Sequence, residues 1–209
     1  AISACEKGCT SSRALSLFHL MSAESVEMDI VTHNAAISAC EKCAEWFQGL
    51  ALLDGMTTKA LVASTVTFSS AISGCEKGDA WVHASMLFSE LGQGNVEMNT
   101  ISYNAAVSAF SRGGTWTSAF VCLRAMAGGG IELDTTTCNA AVAACQGPSV
   151  WRHALDLLTK AQRDSIGTDV LTLATAIGVC EPVGKHAQLL ACLQEAMARG
   201  VTTQTARHA

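Results

Sequence analysis

The chain repeats itself every 35 residues, and that interval limits its fold more than any other feature. The block Val31-Thr32-His33-Asn34-Ala35-Ala36-Ile37-Ser38-Ala39-Cys40-Glu41-Lys42 returns as Val66-Thr67-Phe68-Ser69-Ser70-Ala71-Ile72-Ser73-Gly74-Cys75-Glu76-Lys77, a shift of 35 (66 − 31). The same shift reaches Ile101-Ser102-Tyr103-Asn104 and Thr136-Thr137-Cys138-Asn139, and backwards it carries Ala36–Lys42 onto Ala1–Lys7. All four tryptophans, Trp46, Trp81, Trp116 and Trp151, fall in one column. Ala1, Ala36, Ala71, Ala106, Ala141 and Ala176 fill another, each followed by isoleucine or valine. A period of this length marks an array of supersecondary units that bury their apolar faces against one another.

The register divides the chain into a partial repeat (1–29), repeats at 30–64, 65–99, 100–134 and 135–169, a degenerate terminal repeat (170–204) and a short tail (205–209). The chain enters the repeat at its seventh position with Ala1, so an upstream half-repeat, and any targeting segment, is expected to precede it.

Each module reads as two helices. Thr32 is a plausible N-cap for a first helix ending near Lys42, with Ala36, Ile37 and Cys40 at helical spacing. A second helix runs from Glu45 to about Met56, with Trp46, Leu50, Leu53 and Met56 on one face. A connection carrying Leu61 completes the unit. Turns are expected at Gly78-Asp79 and Gly113-Gly114, where glycine supplies the positive φ that helix ends favour. Only two prolines and 5% aromatic content agree with helices rather than strands. The expected fold class is all-α, a right-handed α-α superhelical solenoid of stacked helix-turn-helix repeats. The first helices would line its inner side.

Hydrophobic content of 49% and mean hydropathy of +0.29 come with no run of eighteen apolar residues, so no membrane partner is expected. Ten cysteines invite a disulfide or zinc reading. Cys5, Cys40, Cys75, Cys145 and Cys180 share a column with Phe110, which is core behaviour. Equivalent residues of adjacent repeats lie roughly 8–10 Å apart, beyond disulfide reach. Cys40-x-x-Cys43 has no second ligand pair for zinc. No cofactor, metal or small-molecule substrate is expected.

The period, the opening Ile101-Ser102-Tyr103-Asn104, the Ile-Ser-Ala-Cys-Glu-Lys continuation and Trp151-Arg152-His153-Ala154-Leu155 together resemble the pentatricopeptide repeat family, in its P-type 35-residue form. The resemblance covers essentially the whole chain. Tetratricopeptide repeats differ in period and lack this pattern.

The resemblance implies single-stranded RNA binding, one base per repeat. The fifth residue of each repeat and its last residue would read the base: Asn34 with Ser64, Ser69 with Asn99, Asn104 with Asp134, and Asn139 with Asp169. Carried over residue by residue, the family's pairing implies a C-A-U-U core read amino to carboxyl against 5′ to 3′, with uracil an alternative to cytosine in the first place. Ala174/Gln204 reads no base. Second-position residues Val31, Val66, Ile101 and Thr136 would sandwich bases, and Lys42, Lys77 and Arg112 would contact phosphate. The family's fourth-position tyrosine is kept only at Tyr103.

The net charge of −5 opposes a simple electrostatic RNA binder, because phosphate neutralisation ordinarily drives affinity. It favours an alternative, an α-solenoid scaffold that holds a protein partner without RNA. Catalysis is not expected: no His is followed two residues later by Glu, as a deaminase would need, and His83 and His153 read as surface residues. The resemblance further implies a mitochondrial or chloroplast site of action and a protein effector recruited to the RNA.

Overall fold

A computed structural model describes residues 11–93 apart from 25 and 27, then 98–145, 150–163 and 170–184, with single positions at 187, 190, 191 and 194. After α1 (Ser11–Ala23), helices alternate in pairs: α2 (Ile30–Lys42) with α3 (Trp46–Thr58), α4 (Thr65–Lys77) with α5 (Trp81–Gln93), and α6 (Thr100–Arg112) with α7 (Trp116–Gly128). Then come α8 (Thr135–Ala144) and α9 (Trp151–Arg163), followed by α10 (Val170–Cys180) and a 3-10 turn, Glu181–Val183. First helices therefore begin at 30, 65, 100, 135 and 170, every 35 residues, and each second helix begins on its tryptophan. Among the described residues there is no strand.

The sequence dictates these starts through caps three residues earlier than expected. Asp29, Ser64, Asn99 and Asp134, all extended, accept the backbone N–H groups of Thr32, Thr67, Ser102 and Thr137. Thr32 is thus the third helical residue and not the N-cap, because Asp29 supplies a stronger acceptor beside it. The second helix likewise starts at Trp46, with Glu45 in the cap position.

The chain forms two compact units, Ala1–Gly113 and Gly114–Ala209. In the first, α2, α4 and α6 lie side by side in a row, and α3 and α5 each pack on their own first helix and on the next. In the second, α8 and α10 are neighbours, α9 touches both, and α7 packs on α8. Small side chains set the spacing of neighbouring first helices within each unit: Ala36, Ala71 and Ala106 are buried in the first, Ala141 and Ala176 in the second. Ile37, Ile72, Val107 and Val142 follow them into the core, each contributing about 1.5–3 kcal/mol by leaving water.

Among the described residues the cysteine column is core as expected, with Cys40, Cys75, Cys145, Cys180 and Phe110 buried; Cys5 lies outside the described residues. Burial pushes the Cys40 and Cys75 thiols up to about 11 and Cys145 to about 12. The second-helix face is rotated from the expected one: Gly49, Leu52, Leu53 and Met56 are buried in α3, while Leu50 is half-buried. A helix wedged between two first helices needs a broader stripe than a helix resting on one.

Gly114 supplies the positive φ expected of its turn, but Gly78 and Gly113 are glycine for another reason. The left-handed residue is the next one along, Ala44 (φ 57°), Asp79 (φ 55°) or Gly114 (φ 63°), whereas Gly78 and Gly113 have negative φ. What excludes a side chain there is the tryptophan of the preceding repeat. A Cβ on Gly78 would lie 2.3 Å from Trp46 Cδ1, and one on Gly113 would lie 2.5 Å from Trp81 Cδ2. The tryptophan column is therefore the inter-repeat lock. His83 extends it by stacking on Trp46 at 4.8 Å, and His153 by stacking on Trp116 at 5.3 Å. His83 is exposed as expected, but His153 is half-buried, wedged against both Trp116 and Phe120.

Candidate functional site

Three columns of side chains converge where each first helix begins. The second-position residue is the second residue of its helix and points out: Val31, Val66 and Ile101 are 68%, 60% and 63% exposed, and Thr136 is exposed as well. Apolar side chains repeated at this exposure on a row of neighbouring helices form an aliphatic ladder, which a solvated surface has no reason to carry.

The last-position residue is the N-cap of the next repeat's first helix. Its placement follows from its polar side chain, since the helix start leaves N–H groups that only an oxygen acceptor satisfies. Asn99 Oδ1 accepts from Ser102 N at 2.9 Å and from Ser102 Oγ at 3.0 Å. Asp134 Oδ1 accepts from Thr137 N and Thr137 Oγ1, both at 2.7 Å. Ser64 and Thr67 form a reciprocal capping box, with Ser64 N donating to Thr67 Oγ1 at 3.0 Å. Asp29 makes the same bonds to Thr32, whose hydroxyl and N–H hold its carboxyl below the usual carboxylate range.

The fifth-position residue stands one turn further along. Asn34, Asn104 and Asn139 are half-buried, with room for one edge of each carboxamide to meet a partner. Ser69 is only 6% exposed; its hydroxyl lies 2.7 Å from the Thr65 carbonyl and 2.6 Å from Ser102 Oγ. Ala174 is exposed and has no polar group to offer. Asp169 and Gln204 lie outside the described residues.

Fifth and last positions are joined by a residue that sequence reasoning passed over. Thr67 Oγ1 donates to Asn34 Oδ1 at 2.6 Å and also touches Ser64, so it bridges the pair Asn34/Ser64. Ser102 Oγ does the same for the pair Ser69/Asn99. In the second unit, Thr172 Oγ1 meets Asn139 Oδ1. The signal was present as a strict hydroxyl column at 32, 67, 102, 137 and 172, all threonine or serine.

The cationic column is occupied internally. Lys77 Nζ pairs with Glu41 Oε1 at 2.8 Å, and Arg112 reaches Glu76 at 3.2 Å and Asp79 at 2.9 Å. The hydrogen bond to Asp79, then the charge of Glu76, raises the Arg112 pKa further. Lys42 is the last residue of α2 and is exposed. The fourth-position layer is core: His33, Phe68, Tyr103 and Cys138 are buried, His33 with its Nδ1 3.0 Å from the Asp29 carbonyl oxygen.

A family profile described as pentatricopeptide repeat-containing protein matches residues 73–196. The chain belongs to the pentatricopeptide repeat family. No curated protein sequence matches it. Among solved structures, it is similar to the pentatricopeptide repeat protein PPR10 from maize, at a TM-score of 0.71 and 22% identity over 95% of this chain and 28% of that one. The same maize protein is described in complex with an 18-nt psaJ RNA element, at a TM-score of 0.65 and 23% identity over the same shares of the two chains, 95% and 28%. The PPR domain of Arabidopsis thaliana protein-only RNase P 1, described in complex with tRNA, matches at a TM-score of 0.74 and 14% identity over 86% of this chain and 95% of that one. These likenesses show the fold, an all-α solenoid of stacked pentatricopeptide helix pairs. The chain spans 28% of the maize protein's length.

Proposed function

We propose that this pentatricopeptide array binds single-stranded RNA selectively, one base per repeat, through Asn34/Ser64, Ser69/Asn99, Asn104/Asp134 and Asn139/Asp169. The observation that carries the reading is the juxtaposition within the first unit: half-buried Asn34 and its partner Ser64 share one hydroxyl, beside the exposed aliphatic pair Val31 and Val66. Such a site offers a polar edge to a base edge and two apolar walls to its faces. RNA-bound relatives with the same fold support it.

The affinity would come from sandwiching, at or below the roughly 1–3 kcal/mol per base that aromatic stacking supplies, plus phosphate contacts by Lys42, Lys77 and Arg112. The preferred core is C-A-U-U. The array acts as a binding module in organellar RNA processing, stability or translation, and it recruits a protein effector for any chemistry. Mitochondrion or chloroplast follows from the family alone, and a fluorescent fusion of the full-length protein checks it.

Labelled single-stranded RNA containing C-A-U-U, a scrambled pool and an Asn104→Ala variant, compared at two salt concentrations, test the reading. Selective binding that the substitution weakens is expected. Binding blind to sequence, or none, overturns it in favour of the protein scaffold that the net charge of −5 favours.

A further inference from the structure

We infer that the groove between α7 and α9, the two second helices of the second unit, is a docking site for an acidic amphipathic helix of a protein partner. The inference rests on the effector recruitment proposed above and is independent of base reading.

Charge is unevenly placed on the second helices. In the first unit, α3 and α5 carry the acids Asp54 and Glu90 and no lysine or arginine. In the second, α7 and α9 carry Arg124, Arg152, Lys160 and Arg163 against the single acid Asp156. A chain of net charge −5 thus gathers cations on one pair of helices. The pair is adjacent: the His153 ring of α9 lies 5.3 Å from Trp116 and 5.4 Å from Phe120 of α7.

Between them lies a groove of about 400 Å³. Buried Leu123 and half-buried Phe120 and Leu157 give it an apolar floor, and exposed Arg124, Lys160 and Asp156 stand at its rim. The sequence explains the opening. Leu123 and Cys138 hold the repeat positions that Phe88 and Tyr103 hold in the first unit, where the two rings meet at 5.7 Å. An isobutyl group and a thiol fill less volume than two rings, so the space between the second helices stays open.

The rim cations are uncommitted. Lys77 and Arg112 are held by Glu41, Glu76 and Asp79, whereas among the described residues neither Arg124 nor Lys160 has a hydrogen bond or an ion pair. An apolar trough with an unpaired cation on each wall is complementary to a helix whose leucine-type side chains recur at i, i+4 and i+7 and whose flanks carry glutamate or aspartate. An RNA strand fits it poorly, because phosphates gain nothing from the apolar floor and Asp156 repels them.

Fluorescence anisotropy of the whole chain tests this with three labelled helical peptides. One carries leucine at i, i+4 and i+7 flanked by glutamate, one has lysine for glutamate, and one has alanine for leucine. The net charge of −5 opposes the first peptide, so its binding reports the local cations. Wild type should bind it about tenfold more tightly than either control, and less tightly as salt rises. Arg124→Glu/Lys160→Glu should exchange the preference in favour of the lysine peptide. Asp156→Asn should tighten the glutamate peptide by about two- to threefold, the worth of one rim charge.

Thermal melts confirm that each variant is folded; should the double reversal melt early, Arg124→Gln/Lys160→Gln is expected to lose the preference instead. No binding, binding blind to charge, or a preference that these variants leave unmoved overturns the inference. A dimer seen by sedimentation and abolished by the reversal overturns it too, since the groove would then hold a second copy. So does RNA that competes the glutamate peptide off, which would place the groove on the RNA path. Glutamate-peptide binding by a protein that reads no base would leave the docking site standing while the base-reading role falls.

Discussion

Trp46 and Gly78 touch across the boundary between two repeats so closely that a Cβ on Gly78 would overlap the indole, 2.3 Å from Trp46 Cδ1. The ring is rigid and held by its own helix, so it cannot retreat as a flexible side chain would. Gly78→Ala should therefore destabilise the first unit by roughly 1–3 kcal/mol, the range of overpacking in a filled core. Denaturant unfolding measures it. Trp46→Leu combined with Gly78→Ala should recover part of the loss, because the smaller side chain vacates the clash; purely additive losses would contradict the contact.

Ala44 should gain from the opposite change. It holds φ at 57°, a left-handed conformation that costs an L residue about 1–2 kcal/mol, while no side-chain bond compensates it. Ala44→Gly relieves that strain against a smaller entropic loss in the unfolded chain, for a net gain of about 0.5–1 kcal/mol. Asp79 stands in the same place with φ 55°, but its carboxylate holds Arg112 at 2.9 Å, so Asp79→Gly should gain less. Melting temperatures of the two variants, compared at equal concentration, check the ordering.

The buried thiols should be chemically silent. Burial pushes Cys40 and Cys75 up to about 11 and Cys122 and Cys145 to about 12, so at pH 8 almost none of each is thiolate. Among the described residues, half-buried Cys43 should react with iodoacetamide ahead of these four, which react only once denaturant opens the repeats. Mass spectrometry of the alkylated peptides distinguishes the order. Raising the pH to 9 should leave the four protected, since they titrate well above it.

The acidic partners of the cationic column should restrain RNA binding. Lys77 and Arg112 are largely exposed, and their pairs with Glu41 and Glu76 contribute little stability, about 0–1 kcal/mol. Glu41→Gln, and Glu76→Gln combined with Asp79→Asn, should free Lys77 and Arg112 respectively for phosphate, raising RNA affinity and steepening its salt dependence. Lys77→Ala should shallow the slope by about 0.7, the value for one contact on a single strand. Unchanged slopes in all three variants would remove these residues from the phosphate path.

The periodicity makes most of the architecture legible in the sequence, because a column repeated at fixed interval multiplies a weak local signal. The buried alanine and cysteine columns, and the tryptophan that opens each second helix, were readable this way. Partners lying one repeat away were not. Gly78 reads locally as a turn residue, yet its constraint comes from Trp46 in the preceding repeat. Glu76 sits beside Lys77 in the chain and reads as its local counter-charge, whereas the ion pairs run Glu41 to Lys77 and Glu76 to Arg112.

The candidate site shows the same division. Asn34 and Ser64 were identifiable by family register, and Val31 as an aliphatic flank. Thr67 was not, because a hydroxyl near a helix start reads as a cap for its own helix. Its bond to Asn34 crosses 33 residues, and only the stacking of α2 on α4 brings the two together.

Recoding one repeat tests the central claim most directly. Ser69→Asn together with Asn99→Asp gives the second repeat the pair already present at Asn104/Asp134. Affinity is then measured for C-A-U-U and C-U-U-U RNA with both proteins. Modular reading requires the wild type to prefer C-A-U-U and the recoded protein to prefer C-U-U-U, by about tenfold each way, with all other positions unchanged. An unaltered preference, or a loss of affinity shared equally by both RNAs, would contradict it.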